Sequence, residues 1–155
     1  MVIKTERNVG DIYDPKTIQP SSSIGYLINR VRTEFIEAID RELAPLDVTA
    51  AQYIIMGHLA HNLADSASQL CKGISYDPGA MTRMIDRLEA KGFIRRVRSA
   101  EDRRAVNLEL TAEGKAVFPK LRVSVVGVLN RLLRGFTKSE ARQLEGFLQR
   151  ILANA

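Results

Sequence analysis

Five arginines fall within ten positions in the segment RRVRSAEDRR, from Arg95 to Arg104. From Lys91 to Arg104 the chain carries six basic and two acidic residues, a local net charge of +4. Like charges this close repel one another, and a densely charged anion would offset that repulsion. Arginine also matches phosphates and guanine edges through paired N–H donors. The segment indicates a site for a polyanion, with a solvated charged face as the alternative.

Composition bounds the class of protein. A chain of 155 residues with 45% hydrophobic content is long enough for one domain with its own core. Its net charge of +5 favours polyanionic partners without requiring them. The single cysteine, Cys71, has no partner for an internal disulfide, and the N-terminus lacks the apolar run of a signal peptide or membrane span. We expect a cytoplasmic protein with no membrane partner.

The chain opens with an irregular arm and a long amphipathic helix. Residues 1–20 lack periodicity and contain one glycine and two prolines. The serines at 21–23 can cap a helix that continues to about Leu43 and is ended by Pro45. Apolar residues recur in it every three or four positions, which predicts one buried stripe: Ile24, Leu27, Ile28, Val31, Phe35 and Ala38.

Two shorter helices should follow. Thr49 and Gln52 have the spacing of a capping box, in which each side chain satisfies a backbone amide at the helix start. This helix should run to about His61. Asp65 or Ser66 should begin the next one, whose apolar positions again share one face.

A fourth helix should begin at Asp77 and Pro78, an N-cap followed by proline at the first helical position, and last until Gly92. On a helical wheel, four residues can pack inward: Ala80, Met84, Ile85 and Leu88. The opposite face is small near its start and otherwise polar: Gly79, Thr82, Arg83, Asp86 and Ala90.

The periodicity changes after Gly92. Val106, Leu108 and Leu110 alternate with polar residues, which predicts a half-buried strand. A partner strand fits residues 94–98, so residues 99–104 would form the hairpin tip. Two further amphipathic helices should follow, one from Thr111 to about Gly135 and one after a capping box of Thr137 and Glu140.

A tight pair of short helices followed by a hairpin is the plan of a winged helix-turn-helix. In that plan the second helix of the pair enters the DNA major groove. Arg83 can then reach a guanine or a phosphate. Arginines at the hairpin tip can enter the minor groove, where the negative potential is strong, and those at its base can neutralise phosphates. The sequence therefore predicts double-stranded DNA as the partner.

The segment DPGAMTRMIDRLEAKGFIRRVRSAEDRRAVNLELTAEGK, residues 77–115, strongly resembles the core of the MarR family of bacterial winged-helix transcription regulators. The motif that carries the resemblance is Asp102, Arg103 and Arg104 followed by the apolar alternation and LTAEG. The helix order is similar to that of the family from about residue 22 onward.

This resemblance implies a mainly α fold with a small β-hairpin wing and a helical dimerisation region from the N- and C-terminal helices. After an arm over 1–20, residues 21–155 would be one domain, with a winged helix-turn-helix core at about 49–111. Helices at about 22–44 and 112–153 would form a homodimer that reads a pseudo-palindromic operator.

The resemblance also implies roles for single residues. Asp102 and Arg104 would shape the wing tip and reach the minor groove, and Asp77 can pair with Arg104. The full set of expected DNA-binding residues is Asp77, Pro78, Gly79, Thr82, Arg83, Arg87, Arg96, Arg98, Asp102, Arg103 and Arg104.

Most members of the family are repressors released by a small phenol or aromatic carboxylate, or by oxidation. An anionic aromatic needs a cation or hydrogen-bond donors in an otherwise apolar cleft. The absence of tryptophan disfavours urate, to which tryptophan-containing members respond. Candidate effector-binding residues lie on the first two helices: Ser23, Tyr26, Arg30, Tyr53, His58 and His61.

Other functions have weaker support. Cys71 could sense oxidants, but its place on an apolar helix face favours an inert thiol. His58 and His61 could share a metal ion, but no cluster of carboxylates or cysteines completes a coordination sphere, so we expect neither metal nor cofactor. The sequence contains no nucleophile with a matched base and no phosphate-binding loop, so it gives no indication of an enzyme. A purely structural helical dimer remains an alternative.

Overall fold

The computed structural model describes residues 10–99 and 106–155. The chain divides into two compact units, one up to Glu34 and one from Phe35 to Ala155. The fold is mainly helical with one antiparallel hairpin, as predicted. In chain order the elements are α1 (Ile24–Leu43), α2 (Ala50–Ala60), α3 (Ala67–Ile74), α4 (Pro78–Ala90), β1 (Ile94–Arg98), β2 (Val106–Leu110), α5 (Ala112–Leu132) and α6 (Lys138–Ala153).

Side-chain caps begin the helices where the sequence places them. The Thr49 hydroxyl accepts from the Gln52 amide at 3.2 Å, and the Gln52 side chain accepts from the Thr49 amide at 3.1 Å. Thr137 and Glu140 form the same reciprocal box at α6. The Thr137 backbone amide donates to the Glu140 carboxylate, and this hydrogen bond lowers the pKa of Glu140. Ser66, rather than Asp65, caps α3.

The core of the second unit lies between α2, α3, α4, the hairpin and α5. Helix α3 packs on α4, and α2 packs on α5 and β2. The largest fully buried side chains are Leu43, Ile55, Met56, Leu70, Met81, Ile85, Leu88, Ile94 and Leu121. Among the described residues, one polar side chain is buried, that of Gln52, the N3 residue of the α2 capping box.

Two long helices leave their apolar faces uncovered. The predicted buried stripe of α1 is wrong for a single chain, because Ile24, Leu27, Ile28 and Val31 are between 38% and 50% exposed. Helix α6 buries no residue at all, although its apolar positions repeat at helical spacing. No helix within residues 10–99 and 106–155 is long and apolar enough to cross a membrane.

The hairpin is joined to the body at both strands. Its register pairs Ile94 with Leu110 and Arg98 with Val106. Ile94 and Leu108 are buried against the core. On its outer edge β2 donates the Leu108 amide to the Asp65 carbonyl at 2.7 Å, which ties the hairpin to the segment before α3.

The start of α5 fits closely against the turn between α4 and β1. The Thr111 hydroxyl accepts from the Gly114 amide and donates to the Gly92 carbonyl at 2.6 Å. A Cβ at Gly114 would lie 2.0 Å from the Phe93 carbonyl oxygen, which no side chain can tolerate. Gly114 therefore permits the close approach that joins α5 to the base of the hairpin.

We predict that Gly114→Ala lowers the free energy of unfolding by about 1–3 kcal/mol, because the added methyl group forces backbone to move in a packed joint. Gly127→Ala in the same helix is the control. Nothing lies within 4 Å of a Cβ there, so alanine should stabilise the protein by roughly 0.5–1 kcal/mol. Urea unfolding of both variants measures the difference, and equal stabilities would contradict the close fit at Gly114.

Candidate nucleic-acid interface

Helices α3 and α4 are joined by three residues. Helix α3 ends at Ile74, and Ser75 adopts a left-handed conformation with φ of 58° that turns the chain. Asp77 then caps α4, with its carboxylate accepting from the Ala80 amide at 2.9 Å. Pro78 occupies the first helical position, where its missing N–H is not needed. The predicted boundaries at Asp77 and Pro78 are confirmed.

Burial fixes which face of α4 turns outward. Met81, Ile85 and Leu88 are at most 1% exposed and form its inward stripe. Sequence reasoning omitted Met81 and placed Ala80 and Met84 inward instead, whereas both are only partly buried. The outward residues are exposed as predicted: Gly79, Thr82, Arg83 and Asp86, together with Arg87.

The first turn of α4 gathers polar groups around Gly79. A Cβ there would lie 3.2 Å from an Asp77 carboxylate oxygen and 3.5 Å from Nη1 of Arg83, so the guanidinium of Arg83 extends back over this turn. The Thr82 hydroxyl donates to the Pro78 carbonyl at 2.8 Å. This surface combines a small residue, a hydroxyl and a guanidinium, the groups that contact base edges and phosphates.

Arg96 on β1 is held by two carboxylates of α4. Its Nη2 lies 2.6 Å from the Asp86 carboxylate, its Nη1 donates to the Glu89 carboxylate, and its backbone N–H donates to Glu89 at 3.2 Å. The hydrogen bond to Asp86 raises the pKa of Arg96 further above its high ordinary value, the charge of Glu89 adds to this, and burial opposes it. Sequence reasoning named Arg96 without these partners.

Other cations of the basic segment are also paired inside the protein. Arg95 contacts Glu109 across the hairpin at 2.9 Å. The Lys91 ammonium lies 3.2 Å from the Asp47 carboxylate, donates to the Asp47 carbonyl and lies 3.3 Å from the Gln52 side chain. These contacts link the end of α4 to the start of α2. Most of the positive charge that the sequence concentrates before Arg98 is therefore balanced by neighbouring carboxylates.

Three predicted cations have no ion-pair partner among the residues that the structure describes: Arg83, Arg87 and Arg98. All three are exposed. The remaining predicted residues of the wing tip, Asp102, Arg103 and Arg104, lie outside the described residues. The proposed pairing of Asp77 with Arg104 therefore stays a prediction.

An aromatic cluster joins α2 to α5. Tyr53 stacks on Phe118 with ring centres 5.6 Å apart, and His61 meets the edge of Phe118 at 6.1 Å. Burial raises the pKa of Tyr53, while the positive charge of Arg122 acts in the opposite direction. Sequence reasoning named Tyr53 and His61 and missed Phe118 and Arg122. The apolar stripe predicted for α5 included Val117 and Leu121. Phe118 lies three positions before Leu121, and this helical spacing was the signal that could have identified it.

His58 is not part of this cluster. Its Nδ1 lies 2.9 Å from the Ile54 carbonyl, and a Cβ at Gly73 of α3 would lie 3.4 Å from its Nε2. Cys71 is a half-buried free thiol on α3. In the described parts of the chain no three His, Cys, Asp or Glu side chains come close enough to hold a metal ion.

The remaining effector candidates lie in the first unit. The Ser23 hydroxyl accepts from the Tyr26 amide and donates to the Pro20 carbonyl, as a cap of α1. Arg30 pairs with Glu34 one turn later at 3.2 Å. These side chains therefore have structural roles within α1, and Tyr26 is 43% exposed.

Comparison with known proteins agrees with this architecture. The model of the MarR family matches residues 46–105. The multiple antibiotic resistance protein MarR of Escherichia coli is 33% identical over 130 residues, which cover 83% of this chain and 90% of MarR. The HTH-type transcriptional repressor MdtR of Bacillus subtilis is 29% identical over 121 residues, covering 78% of this chain and 76% of MdtR.

A solved structure shares the fold over nearly its whole length. A crystal structure of an E. coli MarR variant with serine in place of a cysteine, in complex with operator DNA, superposes with a TM-score of 0.78 at 31% identity. The match covers 88% of this chain and 99% of the MarR chain. On these similarities and the winged helix-turn-helix built by α3, α4 and the hairpin, the chain belongs to the MarR family of transcription regulators.

Proposed function

We propose that this protein is a homodimeric repressor that binds a pseudo-palindromic operator through α4 and the hairpin. The observation that carries the proposal is the outward face of α4, where Thr82, Arg83 and Arg87 are exposed above a buried Met81–Ile85–Leu88 stripe. The hairpin follows directly, and its Arg98 forms no ion pair with the residues that the structure describes. The similarity to a MarR structure solved with operator DNA supports the same use of these elements here.

Each element would have its own part in recognition. Helix α4 would enter the major groove, where Arg83 contacts a guanine or a phosphate and Thr82 approaches a base edge. Arg98, at the end of β1 next to the tip of the wing, would neutralise a phosphate. Asp102, Arg103 and Arg104 would form the tip, with Arg104 in the minor groove.

We expect the wild-type protein to select a palindromic sequence from a random DNA library and to bind it with a steep salt dependence. Fluorescence anisotropy over a salt series gives the slope of log binding constant against log salt concentration. Arg98→Ala should reduce the size of this slope by roughly 0.9, the value for the loss of one phosphate contact. Arg83→Ala or Arg104→Ala should cost about 1–3 kcal/mol of binding free energy, and Arg83→Ala should also relax sequence preference.

Arg150→Ala on α6 is the control for removal of an exposed arginine and should leave both the slope and the preference unchanged. Weak binding that ignores sequence and is unaffected by all four substitutions would mean that the basic segment is a solvated face.

A homodimer is supported by the uncovered face of α6. Its exposed apolar side chains follow the three-and-four spacing of one stripe: Leu144, Phe147, Leu148, Ile151 and Leu152. Helix α1 carries a second exposed apolar stripe. Surfaces of this kind are rare on monomers, and two copies related by a twofold axis would bury them against each other.

We expect sedimentation equilibrium to give twice the chain mass of 17.3 kDa. Leu148→Glu should weaken dimerisation by at least about 100-fold, because it places an unpaired carboxylate in the apolar interface. Gln149→Glu adds the same charge one position away, off the stripe, and should not change the mass. A wild-type monomer, or equal effects of the two substitutions, would contradict this interface.

Release by a small phenol or aromatic carboxylate is supported by the cluster of Tyr53, Phe118 and His61. Stacked rings beside the positive charge of Arg122 provide an apolar surface and a cation, the two features that an anionic aromatic requires. This placement favours Tyr53 and His61 over the other four candidates. A ligand wedged between α2 and α5 would shift α4 through its packing on α2.

We predict that 4-hydroxybenzoate releases the protein from its selected operator and that Arg122→Gln raises the concentration needed by about tenfold, the value of one charged hydrogen bond. Arg134→Gln is the control, because it removes an exposed arginine of the same chain outside the cluster. Release titrations by anisotropy measure the effect. If Arg122→Gln and Arg134→Gln respond like wild type, the ligand does not use this cluster.

A further inference from the structure

We propose that Arg96 is a positioning residue that locks the hairpin to α4, and that it does not contact DNA. This inference rests on the proposed function and changes the role that the family resemblance implies for Arg96. Through this lock the wing and the recognition helix would meet DNA as one rigid surface. We use the name Arg96 lock for Arg96 with Asp86 and Glu89.

The geometry of the Arg96 lock directs both ends of the guanidinium at carboxylates of α4. Both terminal nitrogens are engaged, Nη2 by Asp86 at 2.6 Å and Nη1 by Glu89. Glu89 also accepts the backbone N–H of Arg96, so one carboxylate binds both the main chain and the side chain of the same residue. The side chain of Arg96 is only 36% exposed, compared with 63% for Arg95 on the same strand.

The charge of the Arg96 lock argues against a phosphate contact. One guanidinium faces two carboxylates, so the group carries a net charge of −1. A phosphate approaching it would meet two carboxylates at close range, and their repulsion would oppose the attraction of the one shared cation. The guanidiniums of Arg83, Arg87 and Arg98, which form no ion pair with any described residue, carry no such penalty.

The hairpin needs a connection of this kind. A two-stranded ribbon is marginally stable alone, and the Arg95–Glu109 pair joins only its two strands to each other. The buried side chain of Ile94 and the Leu108–Asp65 hydrogen bond fix one end and one edge of it. Among the described residues, the Arg96 lock supplies the polar bonds between the hairpin and α4.

Neutralising the two carboxylates separates the two possible roles by the sign of the effect. The double variant Asp86→Asn with Glu89→Gln removes two negative charges beside DNA. If Arg96 contacts DNA, this variant frees its charge and operator binding tightens. If Arg96 positions the hairpin, operator affinity falls by about tenfold, while affinity for a scrambled duplex is unchanged or rises.

Three companion variants make the comparison sharper. Glu109→Gln removes a carboxylate from the same hairpin without touching the Arg96 lock, and should leave operator binding unchanged or tighter. Arg96→Gln should weaken operator binding as much as the double variant does. Adding Arg96→Gln to the double variant should weaken binding no more than Arg96→Gln or the double variant does alone. Arg96→Lys, which keeps the charge but lacks the two-pronged donor, should recover only part of the affinity.

Hydrogen exchange of the free protein provides a readout without DNA. Amides of β1 and β2 should exchange faster in the double variant and in Arg96→Gln, with core amides of α2 and α5 unchanged, which also shows that the variants fold. The proposal would be overturned if the β1 and β2 amides of these variants exchange as slowly as in the wild type and the double variant binds the operator more tightly. If the wild-type protein selects no DNA sequence, the proposed function fails, and exchange alone decides whether the Arg96 lock holds the hairpin.

Discussion

The buried stripe of α4 determines which side chains of this helix face the solvent. Met81, Ile85 and Leu88 are almost completely removed from water, and rotating the helix by one position would expose them. Each such side chain contributes about 1.5–3 kcal/mol through burial, so the helix has one stable rotation. That rotation alone places Thr82, Arg83 and Arg87 on the outside. The proposed recognition surface is therefore a consequence of core packing.

The basic segment after α4 has two physical roles. Lys91, Arg95 and Arg96 pair with carboxylates or carbonyl groups of neighbouring elements. Exposed ion pairs stabilise a fold by only about 0–1 kcal/mol each, so their main effect is on geometry. They fix the hairpin and the end of α4 in one arrangement, and Arg98 remains without a partner among the described residues. Paired cations would position the surface, and unpaired ones would bind.

The joint at Gly114 extends this arrangement to α5. The Thr111 side chain bonds to the turn after α4, and the missing side chain of Gly114 lets the two backbones touch. Helix α5 also packs on α2 and carries Phe118, which stacks on Tyr53. A displacement at the aromatic cluster would therefore be passed to the base of the hairpin through rigid contacts. This gives the proposed effector a physical route to the proposed DNA-binding surface.

The sequence by itself determined the helix starts, the hairpin and the family, because caps, turns and strand alternation depend on residues a few positions apart. Thr49, Asp77 and Thr137 cap their helices as predicted. Only the tertiary structure decided that Met81 faces inward, that Arg96 binds Asp86 and Glu89, and that Phe118 joins Tyr53. It also showed that a single chain leaves the stripes of α1 and α6 exposed. These outcomes depend on partners that are distant along the sequence or absent from one chain, and periodicity cannot identify such partners.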